Sequence, residues 1–221
     1  MKIGILGATG AVGRQMLQCI DEQLPECEEV RLFASERSKG KTVQWKQETL
    51  TIDVLNEENV KGLDYVLGAV SASLAKEYAP LITNAGAVFV DNSRYFRLFD
   101  DVPLVVPEIN GEDALKHHGI IANPNCSTII TMMAAAPIAR ISPIRKIIAS
   151  TYQAVSGAGV AGMAELEKQI ADLLAGKPAE VKTFAYQIAY NLIPQIGGEQ
   201  VDGYTSEEMK LHFEGRKIMH L

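Results

Sequence analysis

The chain has 221 residues, 47% of them apolar and 22% charged, and carries a formal net charge of −6. That is enough apolar material for one large or two small packed domains, and the balance disfavours disorder, nucleic-acid binding and a basic membrane-surface patch. The apolar runs are too short or too interrupted to span a bilayer, and no leader is expected ahead of the first strand.

Lys2–Leu6 (KIGIL) is a short apolar run that ends directly in glycine, as a buried parallel strand does. After Gly7-Ala8-Thr9-Gly10-Ala11-Val12-Gly13, the segment Arg14–Gln23 spaces Met16, Leu17 and Ile20 as a helix does, and Pro25 closes it. Glu29–Ala34 (EVRLFA) is a second strand, so residues 2–34 form a strand–helix–strand unit. Further strand-like runs stand at Tyr65–Gly68, Val88–Val90, Leu104–Val106 and Ile120–Ala122, with a helix predicted over Ser73–Ala85. This alternation predicts a Rossmann-type parallel sheet covered by helices.

A glycine-rich turn between strand and helix brings backbone N–H groups onto a phosphate. Gly7 suits the tight turn, Gly10 the approach of a pyrophosphate, and Gly13 close helix–strand packing, although the spacing is GxxGxxG rather than GxGxxG. The second strand ends in Ala34-Ser35-Glu36-Arg37-Ser38-Lys39, where an NAD site usually puts an acid to bond the ribose 2′-hydroxyl. Its two hydroxyls, guanidinium and ammonium suit a 2′-phosphate, so NADP is the expected dinucleotide; Glu36 argues against it unless it points away.

The character changes near residue 124. Cys126 lies in Asn123-Pro124-Asn125-Cys126-Ser127-Thr128, between a strand and an apolar helix running to Ala139, with Asn125 as the N-cap. A thiolate there faces the helix dipole and free N–H groups. Beside a nicotinamide it can add to an aldehyde carbonyl, and loss of hydride from the hemithioacetal leaves a thioester. Cys19 and Cys27 read as structural; three cysteines without a CxxC pair suggest neither a metal site nor disulfides, but a reduced, cytoplasmic setting. Beyond lie a strand candidate at Lys146–Gln153, a glycine turn at Ser156–Gly159 and a helix over Gly162–Leu174 with Leu166, Ile170, Leu173 and Leu174 on one side. A break at Gly176–Pro178 follows, and a last helix over Glu207–His220.

GATGAVG at the start, ASERS, DNS and FR within Asp91–Arg97, VPEIN, NPNCST, TYQAVSGAG, NLIPQI and GYTSEEMK together resemble bacterial aspartate-semialdehyde dehydrogenase, from residue 1 to about residue 220. The resemblance implies a 1–124 NADP-binding domain followed by a 125–221 α+β catalytic and dimerisation domain, and a homodimer. It also implies reversible reduction of aspartyl-β-phosphate by NADPH to aspartate β-semialdehyde and phosphate, on the path to lysine, methionine and threonine. Cys126 then matches the thioester nucleophile and Gln153 the group orienting the substrate carbonyl. Arg97, Asn125 and Lys210 match phosphate-holding residues, and Glu207, three positions before Lys210, the carboxylate that meets the substrate's amino group. Thr9, Gly10, Ala11 and Val12 would bind pyrophosphate, Arg37 and Ser38 the 2′-phosphate, and Ser71, Ser156 and Gly157 further parts of the cofactor. Outside this pattern each of the charged residues would read as solvated surface.

Two departures stand out. Ala69-Val70-Ser71-Ala72-Ser73 occupies the place of a segment like SAGGS. The family also carries a substrate-binding arginine and an acid/base histidine beyond the match, so the second domain is expected to be incomplete, its sheet edge exposed and turnover impaired. His117, His118, His212 and His220 have no motif that would replace that base. N-acetylglutamyl-phosphate reductase shares the glycine turn and cysteine, but its cysteine neighbourhood resembles GCYPT. A silent NADP-binding paralogue, or a fragment, is the other alternative.

Overall fold

The computed structural model describes residues 1–221, the side chain of Val201 excepted. It divides into two compact units, Met1–Lys146 with Lys210–Leu221, and Ile147–Met209. The boundary expected at residue 124 falls inside the first unit, because the helix after Cys126 buries Met132 in the same core as the sheet.

The first unit holds seven strands: β1 (Lys2–Leu6), β2 (Glu29–Phe33), β3 (Thr42–Trp45), β4 (Glu48–Asp53), β5 (Tyr65–Gly68), β6 (Val88–Asp91) and β7 (Ile120–Ala122). They form one sheet in the order β3-β4-β2-β1-β5-β6-β7, parallel except for the β3–β4 hairpin. The chain builds outward from β1 through β2 and β4, then adds β5, β6 and β7 on the other side. The carboxyl ends of β1 and β5 therefore flank the switch point, where open α/β sheets bind ligands.

Alternation along β1 places Ile3 and Ile5 in a core with Leu17 and Ile20 of helix α1 (Ala11–Gln23). Leu6 joins the opposite core with Ala75, Ala79 and Ile82 of α2 (Ala72–Asn84). A sheet covered on both faces is what near-continuous apolar strands require. A four-residue helix, α3 (Pro107–Asn110), and α4 (Cys126–Ile141) follow, and the last helix α6 (Ser206–Ile218) ends in this unit with Ile218 fully buried in its core.

The second unit contains α5 (Gly159–Leu174), entered through a 3-10 turn at Val155–Ala158. Leu174 of its expected apolar side is exposed, whereas Glu165 and Gln169 are buried. Gln169 accepts from the N–H groups of Ile188 (2.9 Å) and Ala189 (3.1 Å), and Glu165 from Lys182 (3.1 Å) and Thr183. The loop facing α5 has no ladder for these donors, so polar side chains of the helix receive them.

Two local expectations are corrected, and one hairpin lies where no strand was signalled. The β3–β4 hairpin turns at Lys46 and Gln47, with Lys46 at φ +52°, and was not signalled by Gly or Asn. Leu104–Val106 forms only an isolated bridge from Leu104 to Ala122. Lys146–Gln153 is exposed and irregular, since its strand-forming residues find no partner strand among the described residues. No described helix is long and apolar enough to cross a membrane.

Candidate active site

Gly7 leaves β1 at φ +93°, and a Cβ there would stand 2.3 Å from the Ala69 carbonyl oxygen after β5. A Cβ on Gly13 would stand 2.3 Å from the Gly7 oxygen. Both glycines are therefore demanded by the fold itself. Gly10 differs: it is exposed at φ −72°, and a Cβ would meet only the Gly7 oxygen, at 3.4 Å. It is the N-cap of α1 and offers no side-chain acceptor, and the first turn holds no acidic residue. The N–H groups of Ala11, Val12 and Gly13 thus lack a side-chain cap, and Thr9 lies half-buried ahead of them. These residues fit a pyrophosphate.

Ser35 precedes a 3-10 turn, Glu36–Ser38, closed by the Ser38 N–H donating to the Ser35 oxygen at 2.8 Å. Ser35, Glu36 and Arg37 are exposed, while Ser38 is buried. Lys39 pairs with Asp53 at 3.3 Å. Ser71 caps α2, accepting from the Leu74 N–H at 3.4 Å, and its hydroxyl lies 2.9 Å from that of Ser73. Val70, part of the unusual Ala69–Ser73 segment, packs close against the Gly7 turn.

The thiol stands at the end of β7. Cys126 is exposed at the first residue of α4, and Asn125 is the N-cap, its Oδ1 accepting from the N–H groups of Ser127 (3.1 Å) and Thr128 (3.3 Å). Two of the donors expected to face the thiol are therefore taken by the cap. Cys27 is buried and Cys19 half-buried, both away from this turn in sequence and element.

Arg97 lies buried in the loop after β6. Its Nη1 donates to Glu214 Oε1 of α6 at 3.0 Å and its Nη2 to the Asn92 carbonyl at 3.0 Å. Glu214, 2% exposed, also accepts the backbone N–H of Asn125 at 2.7 Å through Oε2. Lys210, half-buried, precedes Glu214 by one helical turn. Beneath them, Asp91 accepts from the backbone N–H (2.9 Å) and hydroxyl (2.7 Å) of Ser93, and its burial raises its pKa against the opposing effects of Ser93 and Arg97. Asn123 donates to the Asn92 side chain at 2.6 Å. Sequence reasoning missed Glu214; the available signal was its spacing of four from Lys210 on one helix face.

In the second unit, Gln153 is exposed and donates through Nε2 to Glu207 Oε1 at 3.1 Å, so these two site residues meet. Ser156 and Gly157 are exposed in the 3-10 turn before α5. Three of the four histidines are engaged in local contacts: His117 accepts the Gly119 N–H, His212 lies edge-on to Phe213, and His220 pairs with Asp113 at 3.1 Å.

Two family models match the chain, the NAD binding domain of semialdehyde dehydrogenase over residues 2–118 and its dimerisation domain over residues 136–221. The aspartate-semialdehyde dehydrogenase of Synechocystis is 44% identical over 99% of this chain and 64% of its own length. The crystal structure of aspartate semialdehyde dehydrogenase II of Vibrio cholerae complexed with ASA superposes with a TM-score of 0.96 at 44% identity, covering 99% of this chain and 66% of that one. The Candida albicans enzyme with NADP is 28% identical, with a TM-score of 0.50 over 65% of this chain and 48% of its own. The chain thus spans about two thirds of the length of its more similar relatives. With both family domains matched in order and 44% identity over nearly the whole chain, the chain belongs to the aspartate-semialdehyde dehydrogenase family.

Proposed function

We propose that this chain carries the cofactor site and nucleophile of an NADP-dependent, phosphorylating aspartate-semialdehyde dehydrogenase. The observation that carries the reading is an exposed thiol at the first position of α4, on the sheet whose β1 end opens into an uncapped glycine turn. Residues 1–124 are taken as the cofactor part and 125–221 as the catalytic and dimerisation part. The dimerisation match and the exposed Ile130, Ile138 and Ile141 of α4 support a homodimer, and a working thiol suits the reducing cytoplasm.

The Cys126 thiolate attacks the carbonyl carbon of aspartyl-β-phosphate, the C–O bond to phosphate breaks, and phosphate leaves with that electron pair. Arg97, Asn125 and Lys210 hold the departing phosphate, Gln153 orients the carbonyl, and Glu207 receives the substrate's ammonium. Gly7, Thr9, Gly10, Ala11, Val12 and Gly13 would hold the pyrophosphate, Ser35, Arg37 and Ser38 the 2′-phosphate, and Ser71, Ser156 and Gly157 other parts of the dinucleotide. When bound, NADPH supplies the hydride that converts the thioester to the aldehyde and frees the thiolate. The exposed Ser35 and Arg37 after β2 and the NADP of the Candida albicans structure support the choice of dinucleotide.

The test combines NADP and NAD titrations with phosphate-dependent NADPH formation from aspartate semialdehyde. NADP is expected to bind at least about tenfold tighter than NAD, and Arg37→Ala to remove most of that factor. Any NADPH formed is expected to vanish in Cys126→Ala. Equal affinities would overturn the NADP assignment, and undiminished turnover without the thiol would overturn the thioester route.

A further inference from the structure

The function proposed above gives no task to the buried carboxylate Glu214. Glu214 is 2% exposed and divides its two oxygens between Nη1 of Arg97 and the backbone N–H of Asn125. Those are two of the three groups read as holding phosphate. The third, Lys210, lies one turn earlier on the same helix, so side chains at 210 and 214 share a face. A single carboxylate therefore links both arms of the candidate anion site to the helix that carries the remaining cation.

Docking of α6 does not explain Glu214. The end of that helix is already anchored by Ile218 in the core and by close packing of Gly215 on Met132. Lys217 Nζ also donates to the carbonyls of Arg97 (3.1 Å), Phe99 (2.5 Å) and Val102 (2.7 Å). A buried ion pair adds little net stability compared with apolar packing of similar volume, so mere adhesion is a poor account of a carboxylate here. What it does specifically is orient. Arg97 has five N–H donors in a rigid plane, and Glu214 with the Asn92 carbonyl fixes that plane while Nε, buried, has no hydrogen-bond partner. The N–H of Asn125 lies outside the α4 ladder, and its acceptance by Glu214 fixes the residue just before the nucleophile.

We propose that Glu214 is a positioning residue for the phosphate of the acyl-phosphate substrate, holding Arg97 and Asn125 in the geometry that receives it beside Cys126. The proposal rests on the phosphate-holding role assigned to Arg97, Asn125 and Lys210.

The experiment follows alkylation of Cys126 by iodoacetamide in the 221-residue chain as inorganic phosphate is added, with unfolding midpoints measured in parallel. Phosphate is expected to slow alkylation of the wild-type thiol saturably. Glu214→Gln, which keeps the shape but loses the charge, is expected to raise the half-protecting phosphate concentration by at least about tenfold. A purely structural role would lower the midpoint and leave that concentration where it was, which would overturn the proposal. If Glu214→Gln does not fold, Glu214→Asp decides: it keeps the charge but withdraws it by one methylene. A rise of about threefold or more supports positioning, and an unchanged concentration overturns it. Lack of protection in the wild-type chain would overturn the phosphate reading itself, a result distinct from protection that survives both substitutions.

Discussion

Two helices begin at the carboxyl ends of parallel strands in the same sheet and complete their first turns in opposite ways. α1 opens on Gly10, which has no side chain to receive its leading N–H groups. α4 opens on Asn125, whose side chain accepts from Ser127 and Thr128. Both carry the same kind of dipole. The first leaves its leading donors without a side-chain acceptor; the second satisfies donors internally and presents a thiol at its first position. A helix N-terminus thus takes its task from its cap residue: the uncapped end suits binding, and the capped end suits holding a reactive side chain in one place.

The sharpest way to break this comparison is at the glycine turn. Gly7→Ala forces a Cβ onto the Ala69 carbonyl at positive φ and is expected to cost about 3 kcal/mol in urea unfolding, with NADP binding lost. Gly10→Ala has room, so its stability cost should stay within about 1 kcal/mol while NADP affinity still falls. Undiminished NADP binding by Gly10→Ala would show that α1 is not the pyrophosphate seat. At the second helix, Asn125→Ala should lower stability by about 1 kcal/mol through loss of the cap. A urea midpoint equal to wild type would mean that α4 does not depend on it.

The smallest effect concerns Asp91, on β6 between the strands that lead to the two sites. Its folded pKa is raised, chiefly by burial, so the folded chain holds this proton more tightly than the unfolded chain does. Its contribution is present at and below about pH 4 and is lost as pH rises through the folded value. The stability of wild type relative to Asp91→Asn should therefore fall between acid and neutral pH. A pH-independent difference between the two would contradict the assigned burial effect.

Much of the first unit was legible because its signals are local. KIGIL ending in glycine, the GxxGxxG spacing and Asn125 before Cys126 each state a strand, a turn or a cap within a few residues, and the structure places all three as read. The hairpin β3–β4 was not legible, because Lys46 occupies the left-handed position usually marked by Gly or Asn. Nor was the buried side of α5, where apolar spacing pointed to the leucines while Glu165 and Gln169 serve loop N–H groups far along the chain. The stretch 146–153 has strand-forming composition, but a strand exists only with a partner to complete its hydrogen bonds.

By itself, then, the sequence determined the alternation of the first unit, the glycine turn between β1 and α1 and the place of Cys126 at the start of a capped helix. Only the tertiary structure decided that Glu214 joins Arg97 to the N–H of Asn125, residues separated by 117 and 89 positions from it. The reason is physical. Periodicity and turn chemistry report what neighbours along the chain can do, whereas the partner of a buried charge is chosen by the fold that removes water from both.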